Sequence, residues 1–373
     1  MAATRSSMLQ GALLRLSVLL LLFAVEFGAL EAALRWHGGS EASPEFQSLF
    51  TDDAVVGHRL RPNAHARYTT VEFSTDLKIN AQGVRDDEDI GPKAPNERRI
   101  VILGDSLVLS VQVPLAETFG KRLEARLNAE DGAHHWRVIN AGVQGYSPVE
   151  EWLFYEHVAS AFEPDVVLVV AFVGNDAIEA YDRASWIDAD HPPQLSATDR
   201  ARTRLSRFIR SSMVLQYIQL RIDLLRSKLT TPGPERPLVT YAADPPPEVA
   251  QGLEVSRRAY GLIATRAAAD GANTGIVLMP ARFQTDDADY GHLAATVHAV
   301  GGELVRNSGS ERFAAALAPL QLPMLDLQPV LAAQPDRAGL FFQRNVHLTP
   351  RGHEVVAAAL DEFLRTSGLM LPR

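Results

Sequence analysis

Three arrangements of apolar residues follow one another along the chain. From Leu16 to Val25 the sequence reads LSVLLLLFAV, an unbroken apolar run with Arg5 and Arg15 ahead of it and Glu26, Glu31 and Arg35 behind. A basic start leading into an apolar core is the grammar of an export signal. The following FGALEAALRW offers no small-x-small cleavage site, so the pattern predicts an uncleaved anchor helix over about residues 11–34 within a leader of residues 1–36. The basic end would lie inside and the rest outside the inner membrane, facing the periplasm. A cleaved signal peptide is the competing reading. Residues 37–98 are polar and turn-rich, with short alternating pieces such as ARYTTVEFST, and predict a small β-rich lead-in.

From Arg99 the pattern changes. RIVILGD, WRVINAG from Trp136 and DVVLVVAF from Asp165 are short apolar runs without alternation, and helically spaced segments separate them. Runs of this kind suit parallel strands covered on both faces. NTGIVLMP and PMLDL near Asp326 supply a fourth and a fifth strand, and a last helix opens at Thr349-Pro350. Strands alternating with helices predict one doubly wound α/β/α sheet of flavodoxin-like type over residues 99–373. An insertion of about residues 180–272 interrupts it, carrying a basic amphipathic helix with Arg202, Arg204, Arg207, Arg210, Arg221 and Arg226 around an apolar stripe. The plain reading is a cover helix on the sheet; the alternative is a helix lying on anionic lipid.

Composition narrows the chemistry. The 373 residues hold 36 Lys and Arg against 45 Asp and Glu, a formal charge of −9, which offers no basic surplus for phosphates and argues against nucleic acid as the partner. The leader's three Arg and two Glu leave the remainder at −10. There is no cysteine, so a nucleophile must be Ser, Thr, Lys or a carboxylate. The pair His134-His135 lacks partners at metal-ligand spacing, and no dinucleotide or phosphate-loop glycine pattern occurs, so neither a metal nor a cofactor is expected.

In an open parallel sheet, ligands bind at the carboxyl ends of the strands. There the first strand delivers Gly104-Asp105-Ser106, the second Asn140-Ala141-Gly142-Val143-Gln144-Gly145, and the third Gly174-Asn175-Asp176. Near the C-terminus stands Asn345-Val346-His347-Leu348-Thr349-Pro350. These are the parts of an acyl-transfer site. Ser106 attacks a carbonyl as His347 takes its proton, and the oxyanion is held by the backbone N–H of Ser106 and Gly145 and the side-chain amide of Asn175. Asp105 and Asp176 are expected to serve their loops, and His353 to be a surface or helix-packing residue.

On those four blocks, in that order over about Arg99–Arg365, the chain resembles the SGNH, or GDSL, hydrolase superfamily of esterases, lipases and carbohydrate acetylesterases, in the layout of its membrane-anchored bacterial members. The resemblance implies a serine esterase or O-acyltransferase acting on ester-linked acyl groups, plausibly acetyl groups of an extracellular or cell-wall polysaccharide. A lipase or lysophospholipase, or a carbohydrate-binding or assembly protein that has lost activity, is the alternative. The chain departs from the family at one position: three residues before the histidine, where an Asp usually completes the triad, stands Arg344. Asn345, a backbone carbonyl, Asp326 or Asp336 is left to orient the ring, and Arg344 is a candidate anchor for an acidic substrate.

Overall fold

The computed structural model describes residues 2–37, 44–189, 205, 209, 212–229, 236–299 and 301–371. Helix α1 (Ala2–His37) comes first, then the single turn α2 (Pro44–Gln47) and two two-stranded sheets, β1 (Phe50–Asp53) with β2 (Gly57–Leu60) and β3 (His65–Thr69) with β4 (Ser74–Lys78). Five strands then build one parallel sheet: β5 (Glu97–Gly104), β6 (His135–Gly142), β7 (Val166–Phe172), β8 (Asn273–Met279) and β9 (Met324–Asp326). Helices α3 (Ser106–Leu109), α4 (Phe119–Glu130) and α5 (Pro148–His157) fall between β5 and β7. Helices α6 (Asp176–Asp182), α7 (Ala184–Ala189), α8 (Met213–Leu229) and α9 (Pro247–Ala269) precede β8. Helices α10 (Arg282–Thr285), α11 (Asp287–Ala299) and α12 (Ser308–Leu317) precede β9, and α13 (Leu327–Ala332) and α14 (Pro350–Thr366) follow it.

The chain divides into two compact units. One gathers Met1–Gln47, Thr69–Val71 and Leu195–Thr231; the other gathers Ser48–Tyr68, Glu72–Gln194 and Pro232–Arg373. In the first, α1 holds a stretch, Ser17–Leu34, long and apolar enough to cross a membrane, and its Val18 to Val25 side chains are largely exposed. Four of the arginines read into the basic helix, Arg202, Arg204, Arg207 and Arg210, lie outside the described residues.

In the second unit the strand order is β6-β5-β7-β8-β9. The second strand thus lies outside the first and the later ones extend the other way, which is the flavodoxin-like doubly wound order with its switch point between β5 and β7. Successive side chains on a strand point to opposite faces. Ile100, Ile102, Leu168, Val170, Val277 and Met279 meet Phe119, Leu123, Val356, Leu360 and Leu364 of α4 and α14 in one buried core. The intervening Val101, Leu103, Val167, Val169, Ile276 and Leu278 are equally buried on the other face. Both faces are covered, which explains why these strands read as unbroken apolar runs.

The sequence pattern runs the first strand straight into a long helix, and the chain is more broken than that. A single turn, α3, leaves β5; Ser110 adopts a left-handed backbone with φ of 55° and ends it, and α4 starts only at Phe119 behind its Thr118 cap. His353 sits fully inside, one turn into α14: its Nδ1 accepts from the Phe119 amide at 3.1 Å and its ring stacks on Phe119. It is therefore a helix-packing residue and not a surface one.

Candidate active site

Residue pairing across the sheet brings the predicted blocks level. Gly104 of β5 lies opposite Gly142 of β6, and Leu103 opposite Val169 of β7, so the three following loops leave one edge side by side. Asp105 caps α3 by accepting from the Leu107 amide at 2.8 Å, which places Ser106 at the first position of the turn. A first helical residue has no intrahelical acceptor for its N–H, and the Ser106 amide has no protein acceptor among the described residues. The same holds for the Gly145 amide.

The two glycines of the second block do different work. A Cβ on Gly142 would come within 2.5 Å of the Leu109 amide nitrogen and 2.6 Å of Val108 Cβ, so this glycine lets β6 pack directly on the Ser106 turn. Gly145 has φ of 74°, a left-handed conformation that side chains disfavour, and nothing stands within 4 Å of where its Cβ would be. Asn140 secures the arrangement from below, donating to the Val108 carbonyl at 2.7 Å while its Oδ1 accepts from the Gly142 amide.

Ser106 Oγ and His347 Nε2 lie 2.8 Å apart, and His347 Nδ1 lies 2.5 Å from Asn345 Oδ1. The Asn345 amide is fixed in orientation, because the same atom also receives the backbone N–H of His347 at 3.2 Å, where an NH2 group would meet that N–H donor to donor. Its oxygen only accepts, so Nδ1 carries the ring proton and Nε2 is left to accept from Ser106. This is the tautomer a general base needs. Burial holds the His347 imidazole down from its usual 6.5 to about 4, and no carboxylate among the described residues offsets that.

One other candidate for orienting the ring, Asp326, is engaged elsewhere. Asp326 caps α13, accepting from the Gln328 amide at 2.9 Å. Arg344 is exposed; its backbone N–H, together with that of Gln343, donates to the Glu72 carboxylate at about 3 Å. Arg282 braces the other side of this loop through the carbonyls of Phe342 and Gln343 while pairing with Asp289. The loop doubles back on itself, with the Phe342 amide donating to the His347 carbonyl at 3.0 Å.

Sequence reasoning missed these supports. It also missed Arg85, 1% exposed, which donates to the carbonyls of Leu109, Ser110 and Val113 immediately behind the Ser106 turn. Burial lowers its guanidinium to about 10, still charged at neutral pH. His58 Nε2 donates to the Gln144 carbonyl at 2.9 Å, and Tyr146 returns a bond to the His58 carbonyl. The lead-in thus grips the loops after β5 and β6 and the histidine loop. A buried Arg in a polar stretch such as GVRDDED carries no periodic signal; its one hint is a lone Arg ahead of a run of acids.

Behind the third block lies a set of buried carboxyls. Asp176 accepts from the Phe172 amide at 2.8 Å, and Asn175 donates one amide proton to Glu179 at 3.0 Å, which leaves its second proton for a ligand. Burial raises Asp105 and Glu179 to about 7 and pushes Glu151 and Asp176 well above the carboxylate range, with acidic neighbours adding to the rise at Glu179, Glu151 and Asp176. A carboxyl whose folded pKa is raised stays protonated longer folded than unfolded, so stability falls as pH rises from the unfolded value through the folded one. His347 and His353, lowered to about 4 and about 3, act the opposite way, but only below the unfolded value of 6.5. Above that pH the carboxyls act alone. The melting temperature is therefore expected to fall as pH rises above about 6.5, through the values near 7 of Asp105 and Glu179, and Glu151→Gln to flatten the slope, as read by thermal scanning fluorimetry.

Residues 239–372 match a family model described as an SGNH hydrolase-like domain, acetyltransferase AlgX. Solved structures similar to this chain include a catalytic mutant of Axe2, an acetylxylan esterase from Geobacillus stearothermophilus, at 12% identity, covering 74% of this chain and 96% of that one with a TM-score of 0.38. A lipase/acylhydrolase from Enterococcus faecalis matches at 14% identity, over 74% of this chain and 98% of that one, with a TM-score of 0.39. No curated protein matches the chain.

Proposed function

We propose, from the match of residues 239–372 to an SGNH hydrolase-like domain, that the chain is a serine esterase or O-acetyltransferase whose catalytic unit is Ser106, His347 and Asn345. The observation that carries the proposal is the continuous chain Ser106 Oγ to His347 Nε2 and His347 Nδ1 to Asn345 Oδ1. Ser106 Oγ attacks the ester carbonyl while His347 Nε2 takes its proton. The tetrahedral oxyanion is met by the amides of Ser106 and Gly145 and the free proton of Asn175 Nδ2. Collapse expels the alcohol, protonated by His347, and leaves an acyl ester on Ser106. Water or a sugar hydroxyl then gives its proton to His347 and attacks the acyl carbon, and the bond to Ser106 breaks as Oγ takes that proton back from His347. Asn345 holds the ring in register throughout and adds no negative charge. His347 is therefore a weak base whose imidazolium is short-lived.

The acetyl group as cargo is supported by the family description of residues 239–372 as acetyltransferase-like. A polysaccharide carrying carboxylates is the substrate that exposed Arg344, one residue from Asn345, would meet with its guanidinium. Helix α1 is proposed to anchor the chain in the inner membrane with the sheet domain outside. The test is a substrate panel with the full chain in detergent: acetylated uronate-bearing and neutral polysaccharides, and nitrophenyl esters from acetyl to octanoyl. Acetate release or acetyl transfer favouring the acidic polymer, with Arg344→Ala lowering kcat/KM on that polymer alone, supports the reading. Preference for octanoyl esters would make the protein a lipase, and equal loss on both polymers would remove Arg344 as the anchor.

A further inference from the structure

Glu31 is an ionisable residue near the end of the apolar stretch of α1, where a charge needs a partner. It has one. Its carboxylate accepts from the backbone amides of Met213 and Val214 at 3.0 Å and from the Ser212 hydroxyl at 2.8 Å, which satisfies orphan donors at the start of α8 and sets a negative charge against that helix's positive end. The first turn of α8 is therefore tied to α1 three residues before Leu34, where the apolar stretch ends. Val214 is buried there. Beyond that turn, Tyr217, Ile218 and Ile222 are 51%, 47% and 44% exposed, an apolar face at helical spacing that none of the described residues covers. Gln219 and Arg221 are exposed beside them, and the Arg221 guanidinium lies over the Tyr217 ring.

A 17-residue helix holding Arg221, Asp223, Arg226 and Lys228 is too charged to span a bilayer. Its start is nevertheless fixed at the depth where α1 leaves the hydrocarbon. We propose that α8 lies in the plane of the membrane interface, with Ile218 and Ile222 in the acyl boundary, Tyr217 at the headgroups and Arg221 snorkelling to anionic phosphates. The occupant of the exposed face is lipid. This rests on the reading of α1 as a membrane anchor, and the experiment separates the two.

The chain has no cysteine, so single cysteines take a nitroxide label at one known place. Full-length Leu21→Cys, Ile218→Cys, Ile222→Cys and Gln219→Cys variants are placed in liposomes with a fraction of anionic lipid, and label collisions with oxygen and with a water-soluble nickel chelate are compared. The ratio of oxygen to nickel accessibility is expected to be high for Leu21, and several-fold higher for Ile218 and Ile222 than for Gln219. A lipid-buried Leu21 label with nickel-accessible 218 and 222 labels leaves the anchor standing and overturns the proposal for α8. Labels at 218 and 222 shielded from both reagents would place protein, such as a second copy, on that face, and overturn it as well. A nickel-accessible Leu21 label would remove the anchor and the proposal together.

Discussion

Ser106→Ala is expected to lower kcat/KM for an acetyl ester by roughly 10⁴–10⁶-fold, His347→Ala by a similar factor, and the double variant by no more than the worse single one. The reasoning is that the two residues act as one unit. Ser106 Oγ is a nucleophile only while Nε2 of His347 takes its proton across 2.8 Å, so removing either partner already removes the covalent path. What survives is the binding and oxyanion stabilisation of the Ser106, Gly145 and Asn175 donors, which neither substitution removes from the backbone. Steady-state rates of all three variants, with melting temperatures to confirm folding, read this directly. If the losses added, the serine and histidine would be working separately.

Asn345→Asp is the second large effect, and it is a gain. In the wild type, burial holds His347 at about 4 and Asn345 supplies orientation without charge. Activity needs the neutral ring, so kcat/KM is expected to fall as pH drops through about 4 and to be flat above it. A carboxylate at 345 would stabilise the imidazolium, and an opposite charge at this range raises a pKa by about 1–3 units. The acid limb should therefore move up by about that much, and the plateau rate should rise as the base strengthens. In a serine protease triad, Asp to Asn loses about 10⁴ chiefly through the wrong tautomer. Here Asn345 already enforces the right one, so the gain is expected to stay well below that factor. The pH profiles of the two proteins make the comparison. An unmoved limb would mean that His347 is not the titrating base.

The opposite contrasts between legible and hidden parts follow from range. Strands β5 to β9 were legible because burial on both faces leaves unbroken apolar runs, and Ser106, Gly145, Asn175 and His347 were legible because each follows a strand end or precedes the last helix. What orients His347 stayed open in the sequence, since Asn345, Asp326 and Asp336 are all close in number to the ring or to a strand end. The fold separates Asn345 from Asp326, by spending Asp326 on the α13 cap and turning Asn345 Oδ1 back onto its own neighbour. Glu72 reaches residues 343 and 344 across more than 270 positions, and Arg85 reaches Leu109 to Val113 from a stretch with no periodicity. Such contacts are set by tertiary packing of a turn-rich segment whose local pattern is only polar.

The central claim is that Ser106 is a nucleophile made reactive by His347, and covalent capture tests it most directly. The full chain is treated with a fluorophosphonate and its intact mass and labelled peptide are measured, beside Ser106→Ala and His347→Ala. One adduct per chain, on Ser106, with none on Ser106→Ala and a rate cut by orders of magnitude in His347→Ala, is the result the account predicts. A folded wild type that takes no adduct, or labelling that persists without His347, would contradict it.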